Sequence, residues 1–149
     1  MLIKTPRDNT IYSSDGIDGK LVWNPSFGAV WQGRYSEAQK FVDSEVIRLS
    51  VPYTPFDSSF LQKSALLGTD IGSGTVEWIA PYAKYMYYGK LMVSPSTGSS
   101  WAERGERKVL TPKKLNYNGA PKRGAFWFER MKADHKAEIL QGAGRFMRG

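Results

Sequence analysis

The stretch 30-VWQGRYSEAQKFVDSEVIRLSVPYTP-55 decides the fold of this chain. Trp31, Tyr35, Ala38, Val42, Val46 and Leu49 recur at steps of three and four residues, which lines them up as one apolar stripe of an amphipathic helix. Ser36 and Gln39 have capping-box spacing, but the periodicity begins upstream of them, so the cap is expected near Asn24. Pro52 and Pro55 end the helix, because proline lacks the amide donor and restricts the residue before it. Before the helix, Lys20-Leu21-Val22-Trp23 reads as a short strand stopping at Asn24-Pro25. Residues 1–20 read as an irregular arm of turn formers.

Beyond Pro55 the period changes. Phe60 to Leu67 fits either a strand or a short helix running into one. The run from Gly68 to Gly74 is turn chemistry, and Thr75-Val76-Glu77-Trp78-Ile79 alternates like a strand, so a hairpin is expected over this region. Next comes 81-PYAKYMYYGKLMVSP-95 with four tyrosines. Residues 92–124 hold Ser, Gly, Pro, Lys and Arg with few apolar interruptions and read as one long loop, a length that is usually functional in a compact domain. Phe126-Trp127-Phe128 then opens a second helix, with Phe128, Met131, His135 and Ile139 on one stripe.

The chain of 149 residues is expected to form one domain, with a core feasible without staples. Cysteine is absent, which removes disulfides and thiolate chemistry and fits a reducing compartment. No apolar run has signal-peptide or membrane-span length, so no membrane partner is expected. The net charge of +7 is unevenly spread: residues 1–89 carry 8 Lys/Arg against 9 Asp/Glu, and residues 90–149 carry 13 against 5. A C-terminal excess of that size suits an acidic partner, either nucleic acid or an acidic protein rim, or else a solvated basic face.

Catalytic chemistry finds little support. His135 is the single imidazole, so a triad or a zinc site has too few members, and its neighbour Asp134 lies one residue away on a helix, where side chains do not face each other. Gly72-Ser73-Gly74 lacks the further residues of a dinucleotide or phosphate loop and reads as a hairpin turn. The acids are scattered, with no pair picked out by spacing. No catalytic residue, cofactor or metal is expected. At least three of Trp23, Trp31, Trp78 and Trp127 are expected in the core. Trp101 stands in the polar segment 94-SPSTGSSWAERGERK-108, where nothing local buries it, and is expected to anchor in a neighbour or fold back. Tyr82, Tyr85, Tyr87 and Tyr88 cannot all face one core. The exposed ones, together with Trp101, Arg104, Arg107 and Lys108, are candidates for a protein interface, with base stacking beside Lys84 and Lys90 as the nucleic-acid alternative.

An ordered set of motifs carries a family resemblance. Val51-Pro52-Tyr53-Thr54-Pro55, Leu61-x-x-Ser64, Gly74-Thr75-Val76-Glu77-Trp78 and Pro81-Tyr82-Ala83-x-Tyr85-x-Tyr87-Tyr88-Gly89 together resemble the minor capsid proteins of tailed phages and prophages of Gram-positive bacteria. Residues 126–136 are similar to the terminal helix of that family. The set is more distantly similar to the neck or tail-completion proteins of long-tailed phages. One departure is Ser59, where the family often has glycine two residues before the leucine.

The resemblance implies a small α+β unit, an antiparallel sheet packed by a long N-terminal helix and a C-terminal helix, without cofactor or catalysis. It implies a homo-oligomeric ring, hexameric by analogy, at the head–tail junction of a virion assembled in the host cytoplasm. Portal-side head-closure proteins and tail terminator or tube proteins would be its neighbours. A positive lumen there would meet packaged DNA, with Lys113, Lys114, Lys122 and Arg123 as candidate DNA-facing residues. A non-specific nucleic-acid-binding module and a minor capsid protein on the head shell are the other readings.

Overall fold

A computed structural model describes residues 2–56, 59–119 and 121–148. Its elements run β1 (Asn9–Ile11), β2 (Gly19–Leu21), α1 (Phe27–Ser50), α2 (Phe60–Gly68), α3 (Ala83–Tyr88), β3 (Lys90–Val93), β4 (Val109–Lys114) and α4 (Trp127–Arg148). The α+β class holds. The strands form two separate antiparallel ribbons, β1 with β2 and β3 with β4.

Helices α1 and α4 are the frame, and they run antiparallel. Arg34 Nη1 donates to the carbonyl of Met147, the rings of Phe41 and Phe146 lie 5.5 Å apart, and Tyr53, just beyond α1, donates its hydroxyl to Asp134 near the start of α4. A β-carbon on Gly142 would stand 2.4 Å from Phe41 Cζ, so a larger residue there would have to push that ring aside. Their seam and the segments laid on it form the core: Leu49, Tyr53, Leu61, Ala80, Ala83, Trp127, Met131 and Ile139, flanked by half-buried Val42, Val46, Trp78, Met86, Tyr87 and Phe128. The expected stripe of α1 packs from Ala38 to Leu49. Trp31 instead joins Trp23 and Phe27 in a separate aromatic cluster at the other end of the helix.

The start of α1 is capped from two directions. Asn24 Oδ1 accepts from the Ser26 amide and hydroxyl, and the Asn24 carbonyl accepts from Phe27 N. The Gly28 amide is satisfied by the Thr5 hydroxyl, brought in by the N-terminal arm. That arm is not irregular. Residues 9–11 pair with 19–21 as a ribbon, and Asp8 Oδ1 accepts from Trp23 N at its base.

Three further expectations are corrected. Residues 60–68 are helix and 75–79 are extended without pairing in a ladder, so no hairpin forms over 60–79. Burial of Leu61, Ser64 and Ala65 on one face selects helix over strand, with the Ser64 hydroxyl tied to the Leu61 carbonyl at 2.7 Å. Of the four tryptophans expected on core elements, only Trp127 is fully buried. Trp78 is half-buried against it, and Trp23 and Trp31 are half-buried in their N-terminal cluster, where Phe27 rather than the α1–α4 seam packs against them. The span 92–124 is likewise not one loop: β3 and β4 make it a ribbon with a long connection over 94–108.

The motifs that carry the family resemblance are largely core builders. Tyr53, Thr54, Leu61, Ser64 and Ala83 are all buried. Ser59 takes a left-handed backbone with φ of 60° ahead of α2, a conformation that glycine adopts without penalty.

Candidate functional site

Two surfaces gather the residues singled out from the sequence, and a third feature comes only from the structure. The first surface surrounds α3. Tyr87 turns inward, its ring 4.8 Å from that of Trp127 at 90°, an edge-to-face contact. Burial, then the nearby charge of Glu129, raises its hydroxyl pKa above the ordinary value. Tyr82 and Tyr88 are exposed, and Tyr85 is half-buried. A six-residue helix accounts for this division: only one of its faces meets the core, so the tyrosines spread around the rest. Tyr85 and Tyr88 form a shallow pocket with Lys84, Lys90 and Leu110, where the ribbon leaves the body.

The second surface is the β3–β4 ribbon and its connection. Trp101 is 84% exposed, the most exposed of the large hydrophobic side chains. Arg104, Arg107 and Lys108 follow it, all exposed, and none forms an ion pair among the described residues. The connection is nonetheless ordered by one carboxylate. Glu106 Oε1 accepts from the hydroxyls of Ser94 at 2.8 Å and Ser96 at 2.6 Å, and its Oε2 accepts from the Glu103 amide. Hydrogen bonds from Ser96 and then Ser94 hold the Glu106 pKa down at about 2. Ser94 is itself buried and pairs its backbone across to Ser99. Trp101 therefore stands on a built turn.

The candidate DNA-facing residues divide. Lys113 and Lys114 are exposed on β4, with Lys114 in register with Lys90. Lys122 and Arg123 lie elsewhere and are engaged internally. Lys122 Nζ sits 3.3 Å from the Tyr53 hydroxyl, and Arg123 Nη1 donates to the Thr54 carbonyl at 2.8 Å while its guanidinium covers the Phe56 ring. With Arg130, which bonds the Ala125 carbonyl, they clamp the end of α1 to the start of α4. The set is not one patch.

Sequence reading missed Asp43. It is 2% exposed, and its carboxylate accepts from Gln39 Nε2 at 2.8 Å and from the amides of Gly72 at 2.8 Å and Gly74 at 3.1 Å. The Gly72-Ser73-Gly74 turn is therefore wrapped around a helix side chain rather than closing a hairpin, with φ of 104° and 81° at its two glycines. An i, i+4 Gln39–Asp43 pair followed by a Gly-x-Gly turn was the available signal, but nothing in the sequence said which acid the turn would enclose. Beside Asp43 opens a groove of about 430 Å³ between α1, residues 74–78, Tyr87 and Phe128.

His135 is partly buried on α4, its ring edge-on to Tyr53 and its Nδ1 2.9 Å from Glu138. Among the described residues no three His, Asp or Glu side chains gather as a metal-binding group, and no helix is long and apolar enough to cross a membrane. Compared with family models, with curated proteins and with solved structures, the chain finds no match in any of the three.

Proposed function

We propose that this chain is a structural virion component, a neck or tail-completion protein that forms a homo-oligomeric ring between the portal side of a phage head and the tail. The observation that carries the assembly half of this reading is surface. The folded chain exposes 10801 Å², whereas a compact monomer of 16.8 kDa is expected to expose about 7,700 Å². The excess, about 3,000 Å², lies in the range that a ring subunit buries on its two faces when each interface is of obligate size, roughly 1,000–2,500 Å² per partner. Two-stranded ribbons are marginal on their own. Both ribbons here carry exposed apolar side chains, including Ile11, Leu21, Val109 and Leu110. The virion half rests on the ordered motifs and on the basic C-terminal portion.

A second reading, non-specific nucleic-acid binding, is favoured by the ribbon's charge. Lys90, Arg104, Arg107, Lys108, Lys113 and Lys114 share one excursion and form no ion pair among the described residues. In a ring the same charges would line a lumen around DNA or meet an acidic rim. Binding to duplex DNA decides between these: six to ten phosphate contacts would lose roughly 10³–10⁵ in affinity between about 50 and 200 mM salt, and no binding at low salt favours the protein rim.

Electron microscopy of lysates from a phage lacking this gene tests the neck assignment. Filled heads beside finished, unattached tails are expected. Emptied heads would assign DNA retention, changed head shells with tails attached would favour the minor capsid reading, and intact infectious virions would refute an assembly role.

A further inference from the structure

We propose that the ring is closed by a knob and a groove on different elements of each subunit: Trp101 of one copy inserts into the groove between Val42, Val46, Val76, Trp78 and Phe128 of the next. The inference deepens the homo-oligomer reading and rests on it, but not on the place of the ring in a virion.

Three observations converge on a second copy as the occupant. The first is the knob. A tryptophan at 84% exposure is carried on a connection that Glu106 orders through two serine hydroxyls and the Glu103 amide, with the Trp101 amide itself bonded to the Ser99 hydroxyl. Pre-ordering of that kind lowers the entropy lost on docking. The second is the hole. The groove of about 430 Å³ is walled by valines and aromatic rings, and its one carboxylate, Asp43, is already satisfied by Gln39, Gly72 and Gly74. Such a site suits an apolar ring.

The third is charge. Arg104, Arg107 and Lys108 follow the knob, while Glu129, next to the groove residue Phe128, lies close enough for its charge to act on Tyr87, another residue of the groove. Glu129 has no cation within ion-pair distance among the described residues. Lys132 packs over the Phe128 ring. Knob and groove lie on different elements, and a contact between them repeated head-to-tail is the geometry that closes a ring.

Because the chain has no cysteine, site-specific cross-linking tests this directly. Full-length Ser100→Cys and Thr75→Cys chains, one lengthened by a tag, are mixed and treated with a short bismaleimide. Both positions are exposed and flank the knob and the groove without belonging to either. Mixed dimers are expected, and adding Trp101→Ala to the Ser100→Cys chain should abolish them. Trp101→Ala alone should weaken self-association about 30-fold or more, as for an interface anchor, with an unchanged melting temperature at dilutions where both chains are monomeric, since the ring is 84% exposed in its own subunit. Oligomers that form without the mixed cross-link, or that tolerate Trp101→Ala, would overturn the proposal. So would a chain that stays monomeric at every concentration, which would still leave a template-bound neck role to be judged by the deletion phenotype.

Discussion

Removal of the Asp43 carboxylate is the sharpest single perturbation of this fold. Asp43→Ala strands three donors: Gln39 Nε2 and the amides of Gly72 and Gly74. Each buried donor left without a partner costs about 1–3 kcal/mol. The adjoining groove admits water, so the lower end applies to each, and a loss of about 3 kcal/mol is expected against a total stability of roughly 5–15 kcal/mol. Asp43→Asn separates charge from connectivity. Its amide oxygen can still accept from Gly72 and Gly74, and Gln39 can turn its own oxygen toward the new amide. What is lost is the charge assistance, which roughly doubles the strength of each bond, so a smaller loss of about 1–1.5 kcal/mol is expected. Urea denaturation followed by circular dichroism gives both values, with an unchanged slope showing that the same surface unfolds. Equal losses for the two variants, or a loss below about 0.5 kcal/mol for Asp43→Ala, would refute the idea that the carboxylate organises residues 70–76.

Other expectations follow from single contacts. Met131 is wholly buried at the centre of the helix seam, and Met131→Ala should cost about 2–5 kcal/mol by leaving a cavity, measured in the same urea titration. Ser50 is buried and its hydroxyl has no partner among the described residues; Ser50→Ala should be neutral or stabilise by up to about 1 kcal/mol, and a clear loss would reveal a partner. Glu106 has a depressed carboxylate pKa, so its contribution to the order of residues 94–106 should be complete above the ordinary value of 4.5 and be given up as the pH falls through about 2. Protection of the Ser96 and Glu103 amides, which both donate to it, should fall over that window in the native chain when exchange is taken relative to the intrinsic rate at each pH, and already be low in Glu106→Gln. Ser59→Gly should stabilise by about 0.5 kcal/mol, since relief of the left-handed backbone outweighs the entropy of a freer unfolded chain; a lower melting temperature would contradict this.

Several features were determined by the sequence alone. The period of Ala38, Val42, Val46 and Leu49 settles α1, the prolines after Ser50 settle its end, and the Phe128–Ile139 stripe settles α4, because a helix of more than twenty residues repeats its apolar signal often enough to be unambiguous. That Trp101 has no local partner was also legible, since no apolar neighbour in its segment offers a place to bury a ring, but that it does not fold back onto its own subunit came from the tertiary structure. The segment 60–67 stayed open between strand and short helix because a short apolar run carries no period of its own, and packing beneath Tyr53 and Ala83 decided for helix, which left the strand expected at 75–79 without a hairpin partner. Tertiary structure alone decided what the charged side chains do. Lys122 and Arg123 have the same composition signal as Lys113 and Lys114, yet the first pair clamps α1 to α4 and the second faces outward. Asp43 reads as one more acid on a helix until the Gly-x-Gly turn arrives from 29 residues away to enclose it. The period of a pattern is local and survives in one dimension, whereas the partner of a charge is fixed only when distant segments meet.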